Sequence, residues 1–322
     1  MVGLQAAAAV EKVSLEWQDV SCVLDKAGKS RKLLESVCGY AQPGKITAIM
    51  GPSGSGKTLM LNALCGQVRN SPGLDLEGRL LVNGEARAPT DLALAYVKQE
   101  DAFYSEMTVR ETLRFHARLR METNTTAARI EAKVDRLLAT LGLAKSADTP
   151  VGDESKRGIS GGERKRLSIA CELISDPPLI FLDEPLSGLD SFQATNVVQR
   201  LRRLADAGHT VVLTLHQPSQ RIFSLVDDLV LLSEGRLVYA GPAGEVSQWL
   251  ANLGAAKPRD MPASEFMLDT VSVNYESAKT EQGSRDRIQR FAYAAREAFK
   301  TRRASLARPS LFAAVFGGGG GG

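Results

Sequence analysis

What most constrains this chain is a strand-like run that leads directly into a glycine loop. Ile46-Thr47-Ala48-Ile49-Met50 is largely apolar, and the next eight residues, Gly51-Pro52-Ser53-Gly54-Ser55-Gly56-Lys57-Thr58, fit G-x-x-x-x-G-K-[ST]. Glycines at these positions let successive backbone N–H groups turn inward around phosphate oxygens. The helix expected from Lys57 to Cys65 adds the partial positive charge of its N-terminus. Lys57 has the reach for β- and γ-phosphates, and the Thr58 hydroxyl is a suitable oxygen ligand for Mg²⁺. A loop of this kind needs a buried strand before it and a helix after it, which predicts an α/β architecture.

The remaining sequence agrees with a mostly parallel sheet. From Leu15 to Leu237 short apolar runs alternate with helical periodicities. Arg79-Leu80-Leu81-Val82 before Asn83-Gly84 reads as a strand entering a type I′ turn, so an antiparallel β section accompanies the parallel core. Between Gln99 and Ser160 the pattern turns helical. Thr108 with Glu111 forms a capping box, and Ile130, Val134, Leu137, Leu138 and Leu141 repeat at helical spacing before Gly142. Strands follow at Leu179–Leu182, Val211–Leu215 and Leu229–Leu232, with a helix from Ser191 to Gly208 among them. After Trp249 the pattern dissolves into polar Pro- and Ala-containing sequence, a basic stretch from Arg285 to Arg308, and Gly317–Gly322. The expected organisation is a flexible start at 1–12, a domain over 13–250 with an inserted helical subdomain at about 100–175, and a linker over 251–322 with a disordered glycine-rich end.

Composition excludes several classes. With 43% hydrophobic and 24% charged residues in 322, the chain can bury a substantial core. A net charge of +3 supplies no broad basic field, so no nucleic-acid partner is expected. Cys22, Cys38, Cys65 and Cys171 are scattered without metal-ligand spacing and read as reduced packing residues of a cytosol-like compartment. Runs such as Leu92–Val97 and Leu311–Phe316 are too short to cross a bilayer, and Met1–Val10 is a poor signal peptide.

Two further segments carry chemistry. Leu179-Ile180-Phe181-Leu182 ends in Asp183-Glu184, an apolar strand delivering two carboxylates. Asp183 is placed to hold Mg²⁺, and Glu184 to orient and deprotonate an attacking water. Ile159-Ser160-Gly161-Gly162-Glu163-Arg164-Lys165-Arg166 provides a second anion-binding helix N-terminus, although one site needs only one phosphate loop. At this point the sequence resembles the nucleotide-binding domain of ABC (ATP-binding cassette) proteins over residues 13 to 250. In that family the signature at Ser160-Gly161-Gly162 touches the γ-phosphate of ATP held by the other member of a dimer. The resemblance further implies that Gln99 contacts Mg²⁺ and the attacking water, that Ser187-Gly188-Leu189-Asp190 crosses the dimer interface, and that His216 hydrogen-bonds the γ-phosphate. Where the family commonly stacks an aromatic on adenine, this chain aligns Cys22; stacking by another residue, weaker selection for adenine and a different alignment all stay open.

Details resemble the G subfamily, the White/Brown-type half-transporters: Glu163-Arg164-Lys165-Arg166, His216-Gln217-Pro218-Ser219, and Pro262–Asp269, similar to that subfamily's Asn-Pro-Ala-Glu-Phe stretch with one residue inserted. The resemblance implies an ATPase that drives an exporter with ATP and Mg²⁺ as cofactors. Its partners would be a second ABC ATPase domain, in a homo- or heterodimer, a transmembrane domain on the same full-length chain, and a membrane surface reached through that domain. The implied location is the cytoplasmic face of a membrane, with no transmembrane segment in this chain. The face Ile288, Phe291, Ala295, Phe299 opposite Arg290, Arg296 and Lys300 reads either as an amphipathic element leading toward the bilayer or as a solvated linker helix. The runner-up is an ABC-type ATPase with no transport role. A small-molecule kinase has no use for Ser160-Gly161-Gly162, and an inactive regulator has no need of Lys57, Asp183, Glu184 and His216 together.

Overall fold

Both faces of the central strands are covered by protein, which is why their sequences read as unbroken apolar runs rather than alternating ones. The computed structural model describes residues 10–26, 29–68, 73–88, 91, 93–153 and 155–306. Most of the expected flexible start, the apolar run 311–316 and the glycine-rich end 317–322 lie outside the described residues. Ten strands form one sheet: β1 (Leu15–Lys26), β2 (Lys29–Ala41), β3 (Ile46–Met50), β4 (Leu74–Val82), β5 (Glu85–Ala86), β6 (Leu94–Val97), β7 (Leu179–Leu182), β8 (Thr210–Thr214), β9 (Asp228–Ser233) and β10 (Arg236–Pro242). Their order is β5-β4-β1-β2-β10-β9-β3-β8-β7-β6. Strands β6, β7, β8, β3 and β9 run parallel. The β1–β2, β1–β4, β4–β5 and β9–β10 pairs are antiparallel. This is the α/β fold expected of a P-loop ABC ATPase, a parallel core beside an antiparallel β section.

Alternation along β3 sorts its side chains between two cores. Ile46, Ala48 and Met50 join Ile180, Leu182, Val211 and Leu213 in the larger core; Ile49 joins Phe181, Val212 and Val230 in the other. Helix α1 (Lys57–Leu64) covers the second face with Met60, Leu61 and Leu64. The first is covered by α2 (Val109–Arg120), α3 (Ala127–Leu141), α4 (Gly161–Glu172) and α5 (Ser191–Asp206). Of these, α2 to α4 lie between β6 and β7 in the chain and share buried Leu113, Val134, Leu138 and Leu167. The capping box read at Thr108 and Glu111 is formed, and Gly142 ends α3 at φ 68°. The turn after β4 has Asn83 at φ 50° and Gly84 at φ 86°, the left-handed pair that a type I′ turn requires.

The reading that regular structure dissolves after Trp249 is corrected. A short α6 (Gln220–Phe223) precedes β9, and after β10 come α7 (Val246–Asn252), α8 (Ala263–Val271) and the 29-residue α9 (Ala278–Leu306). Met267 and Val271 of α8, with Ile288 and Phe291 of α9, are buried in the larger core. Ala295 is buried against the other core, with Phe299 packed on it. The apolar face of α9 is therefore spent on the protein's own body, neither facing a bilayer nor lying in solvent. The sequence shows the apolar face of α9 but not what covers it, because its covering surface belongs to strands and helices far away in the chain.

Candidate active site

The sequence-predicted residues other than Ser160, Gly161 and Gly162 gather at the carboxyl edge of the parallel strands, the usual location of ligand sites in open α/β sheets. Within the loop after β3, Gly54 and Gly56 adopt φ 74° and 98°. A Cβ on Gly56 would approach Leu34 Cδ2 to 2.8 Å, and one on Gly51 would collide with the Leu232 carbonyl oxygen. The loop therefore tolerates no side chain at either position. Lys57 is buried and donates to the carbonyls of Gly51 at 3.1 Å and Pro52 at 3.0 Å. Desolvation lowers its ammonium from the ordinary lysine range, while Glu184 and Asp183 oppose that shift. Ser55 is 3% exposed, and its hydroxyl has no hydrogen-bond partner among the described residues. An unpaired hydroxyl at that depth is costly unless a ligand oxygen completes it, so this loop fits a phosphate.

Strand β7 lies two places from β3, and its end brings the carboxylates to the loop. Asp183 Oδ1 accepts from Thr58 Oγ1 at 3.1 Å and from Thr214 Oγ1 at 2.7 Å. Glu184 sits at φ 41°, a left-handed conformation uncommon for a residue with a side chain, and its N–H donates to Thr214 Oγ1 at 2.7 Å. Gln99, just beyond β6, donates from Nε2 to Glu184 Oε2 at 3.3 Å. These neighbours make the Thr58 hydroxyl, the Asp183 carboxylate and the Gln99 amide available as an oxygen donor set. Such a set suits Mg²⁺, which takes one or two protein ligands and completes its shell from phosphate and water. No cluster of three or more His, Cys, Asp or Glu suited to a metal occurs among the described residues, which that mode of binding does not need. His216 follows β8 and is exposed, with Gln217 after it at φ 41°.

The signature residues stand apart from this group. Ser160 is the N-cap of α4, and its hydroxyl and N–H both donate to Glu163 Oε2 at 2.9 Å, a second capping box. Gly162 donates its N–H to Gln193 Oε1 at 3.1 Å. Among the described residues, none of these contacts reaches the phosphate loop or the carboxylates. Asp190 caps α5, accepting from the Gln193 N–H at 2.8 Å. Cys22 is fully buried, pairs with Leu34 and Leu76 across the strands, and has its thiol pushed up by burial. It presents no surface to a base, so Cys22 itself does not stack on one.

Two roles escaped the sequence reading, that of Thr214 and that of Lys165, which it names only as part of Glu163-Arg164-Lys165-Arg166. Thr214 ties Asp183 to the Glu184 backbone, and its only sequence signal was its place at a strand end two residues before His216. Lys165 is 4% exposed and donates to the carbonyls of Lys98 at 3.1 Å and Gln99 at 2.9 Å and to Asp101 Oδ1 at 2.9 Å. It straps the signature helix to the turn that carries Gln99.

The family model described as ABC transporter matches residues 34–187, from β2 through the Asp183–Glu184 turn. ABC transporter G family member 7 of Arabidopsis thaliana is 48% identical over 300 residues, covering 92% of this chain and 41% of that protein. The protein white of Drosophila melanogaster is 41% identical over 263 residues, 80% of this chain and 38% of that protein. This chain belongs to the G family of ABC transporters. It spans about two-fifths of the length of these curated relatives.

One expectation about this ABC chain is overturned. The resemblance implies a location at the cytoplasmic face of a membrane, with no transmembrane segment in this chain and the membrane domain outside it. Residues 216–289 instead match the family model described as ABC-2 type transporter, so the membrane family's match lies inside the chain. In the structure those residues form α6, β9, β10, α7, α8 and the first turns of α9. No helix among the described residues is long and apolar enough to cross a membrane.

Proposed function

We propose that this chain binds and hydrolyses ATP, and that two such domains close around two ATP to drive transport by an exporter's membrane helices. The observation that carries the reading is the convergence at one sheet edge of the phosphate loop, the Thr58–Asp183 contact at 3.1 Å and the Gln99–Glu184 contact at 3.3 Å. Backbone N–H groups of 53–58, the Ser55 hydroxyl and the Lys57 ammonium bind the phosphates. Thr58, Asp183 and Gln99 hold Mg²⁺, which when bound neutralises charge on the β- and γ-phosphate oxygens. Glu184 orients the attacking water and accepts its proton, and His216 hydrogen-bonds the γ-phosphate. Ser160, Gly161 and Gly162 serve the nucleotide of the opposing domain, in keeping with their separation from this chain's own loop.

An ABC-type ATPase without a transport role has less support, because the relatives are named transporters and the chain also matches the ABC-2 type transporter family. The test is titration of Mg-ATP into wild type and Lys57→Ala. Charge-assisted contacts are worth about 1.5 to 3 kcal/mol, so affinity should fall by roughly ten- to a hundredfold. Equal affinities would overturn the reading.

A further inference from the structure

With Cys22 buried, the nucleotide base needs another wall. Its direction follows from the sheet order. Strand β3 and its loop lie between β8-β7 on one side and β9-β10-β2 on the other. The terminal phosphate belongs beside Asp183 and Glu184, which β7 carries, so the rest of the nucleotide leaves the loop toward β2. A cavity of about 770 Å³ opens there, lined by Pro52, Ser53, Gly54 and Ser55 of the loop, Leu33 of β2, and Tyr275 between α8 and α9. Neither Lys57 nor Asp183 lines it, and its volume is in the usual range for small-ligand sites.

Tyr275 is the aromatic that suits this place. Among the described residues Tyr104, Phe115, Phe192 and Tyr293 are also exposed, but none lines the cavity. Trp17 is fully buried. Tyr275 is 69% exposed, although its backbone is held: Asn274 N–H donates to Ser284 Oγ at 3.2 Å, and Glu276 N–H to Asn274 Oδ1 at 2.8 Å. The segment is fixed to the β9–β10 turn by Ser233 Oγ donating to the Val271 carbonyl at 2.6 Å and by the Arg285–Glu234 ion pair at 3.2 Å. That turn is in turn bonded to the phosphate loop, with Gly235 N–H donating to the Ser55 carbonyl at 3.1 Å.

We propose that the base of the bound nucleotide lies in this cavity against the Tyr275 ring, with half-buried Leu33 offering the facing apolar surface. This inference rests on the nucleotide reading above. The experiment is calorimetric titration of the full chain with Mg-ATP and, separately, with inorganic triphosphate, for wild type, Tyr275→Ala and Tyr275→Phe. Aromatic–base stacking predicts that Tyr275→Ala loses at least about fivefold in ATP affinity, with triphosphate affinity unchanged and Tyr275→Phe within about twofold of wild type. Unchanged ATP affinity in Tyr275→Ala, or an equal loss for triphosphate, overturns the base site alone. Wild type binding neither ligand overturns the nucleotide reading as well.

Discussion

Two adjacent carboxylates at the end of β7 have different surroundings, and so different expected roles. Asp183 is 4% exposed and already takes hydroxyl donors from Thr58 and Thr214, which hold it beside the phosphate loop. Glu184 is half-buried and its side chain meets the Gln99 amide. Glu184→Gln keeps size and hydrogen bonding but removes the proton acceptor, so turnover should drop by about 10² to 10⁴ while Mg-ATP still binds. Asp183→Asn should impair Mg-dependent binding itself. Measured side by side, the glutamine variant should form an ATP-trapped dimer on gel filtration, and the asparagine variant should not. Wild-type turnover in Glu184→Gln would transfer the proton-accepting role to another group, His216 first.

At the scale of elements, the contact between α4 and the turn after β6 couples signature to catalytic edge. Lys165 spends its ammonium on the Lys98 and Gln99 carbonyls and on Asp101, whose side chain is 8% exposed. Lys165→Met leaves that carboxylate buried and unpaired, so urea unfolding should register a loss of about 3 kcal/mol or more. Adding Asp101→Asn should restore much of the stability, because no charge then lacks a partner. Turnover should stay depressed in the double variant, since Gln99 is still detached from α4. Recovery of both properties would make the strap purely structural. The motifs themselves were legible, but this link was not: it joins residues 66 positions apart, and neither partner carries a pattern that names the other.

For the whole molecule, Ser160-Gly161-Gly162 and the phosphate loop of one chain do not meet, so a site completed in trans predicts that activity rises faster than protein concentration at low concentration. Specific activity that stays constant across a wide dilution series would rule that out. Stability carries its own pH signature. His209, at the entrance to β8, is buried with Nδ1 2.9 Å from the Pro177 carbonyl, and desolvation lowers its imidazole below the ordinary value. The unfolded chain then binds the proton more readily, so stability present above about pH 6.5 is lost as pH falls toward the depressed folded value. Urea midpoints at pH 7.5 and 5.5 should fall less in His209→Gln than in wild type. An unchanged difference would assign the acid sensitivity elsewhere, His116 being the next imidazole lowered by burial.

Sequence by itself determined what lies within a few consecutive residues. Strand β3 with its loop, the Asp183–Glu184 strand end and the capping box at Thr108 each express their physics locally, through glycine torsions, burial of an apolar run and one helix turn. Tertiary structure alone decided the rest. Thr214 reaches Asp183 because β8 lies beside β7, Cys22 faces the core because of β1's register, and the scattered apolar residues of α9 become a buried face only against β10. Strand order and register determine which distant side chains share a hydrogen bond or a core, and these come from the packing of the complete sheet rather than from any short stretch of chain.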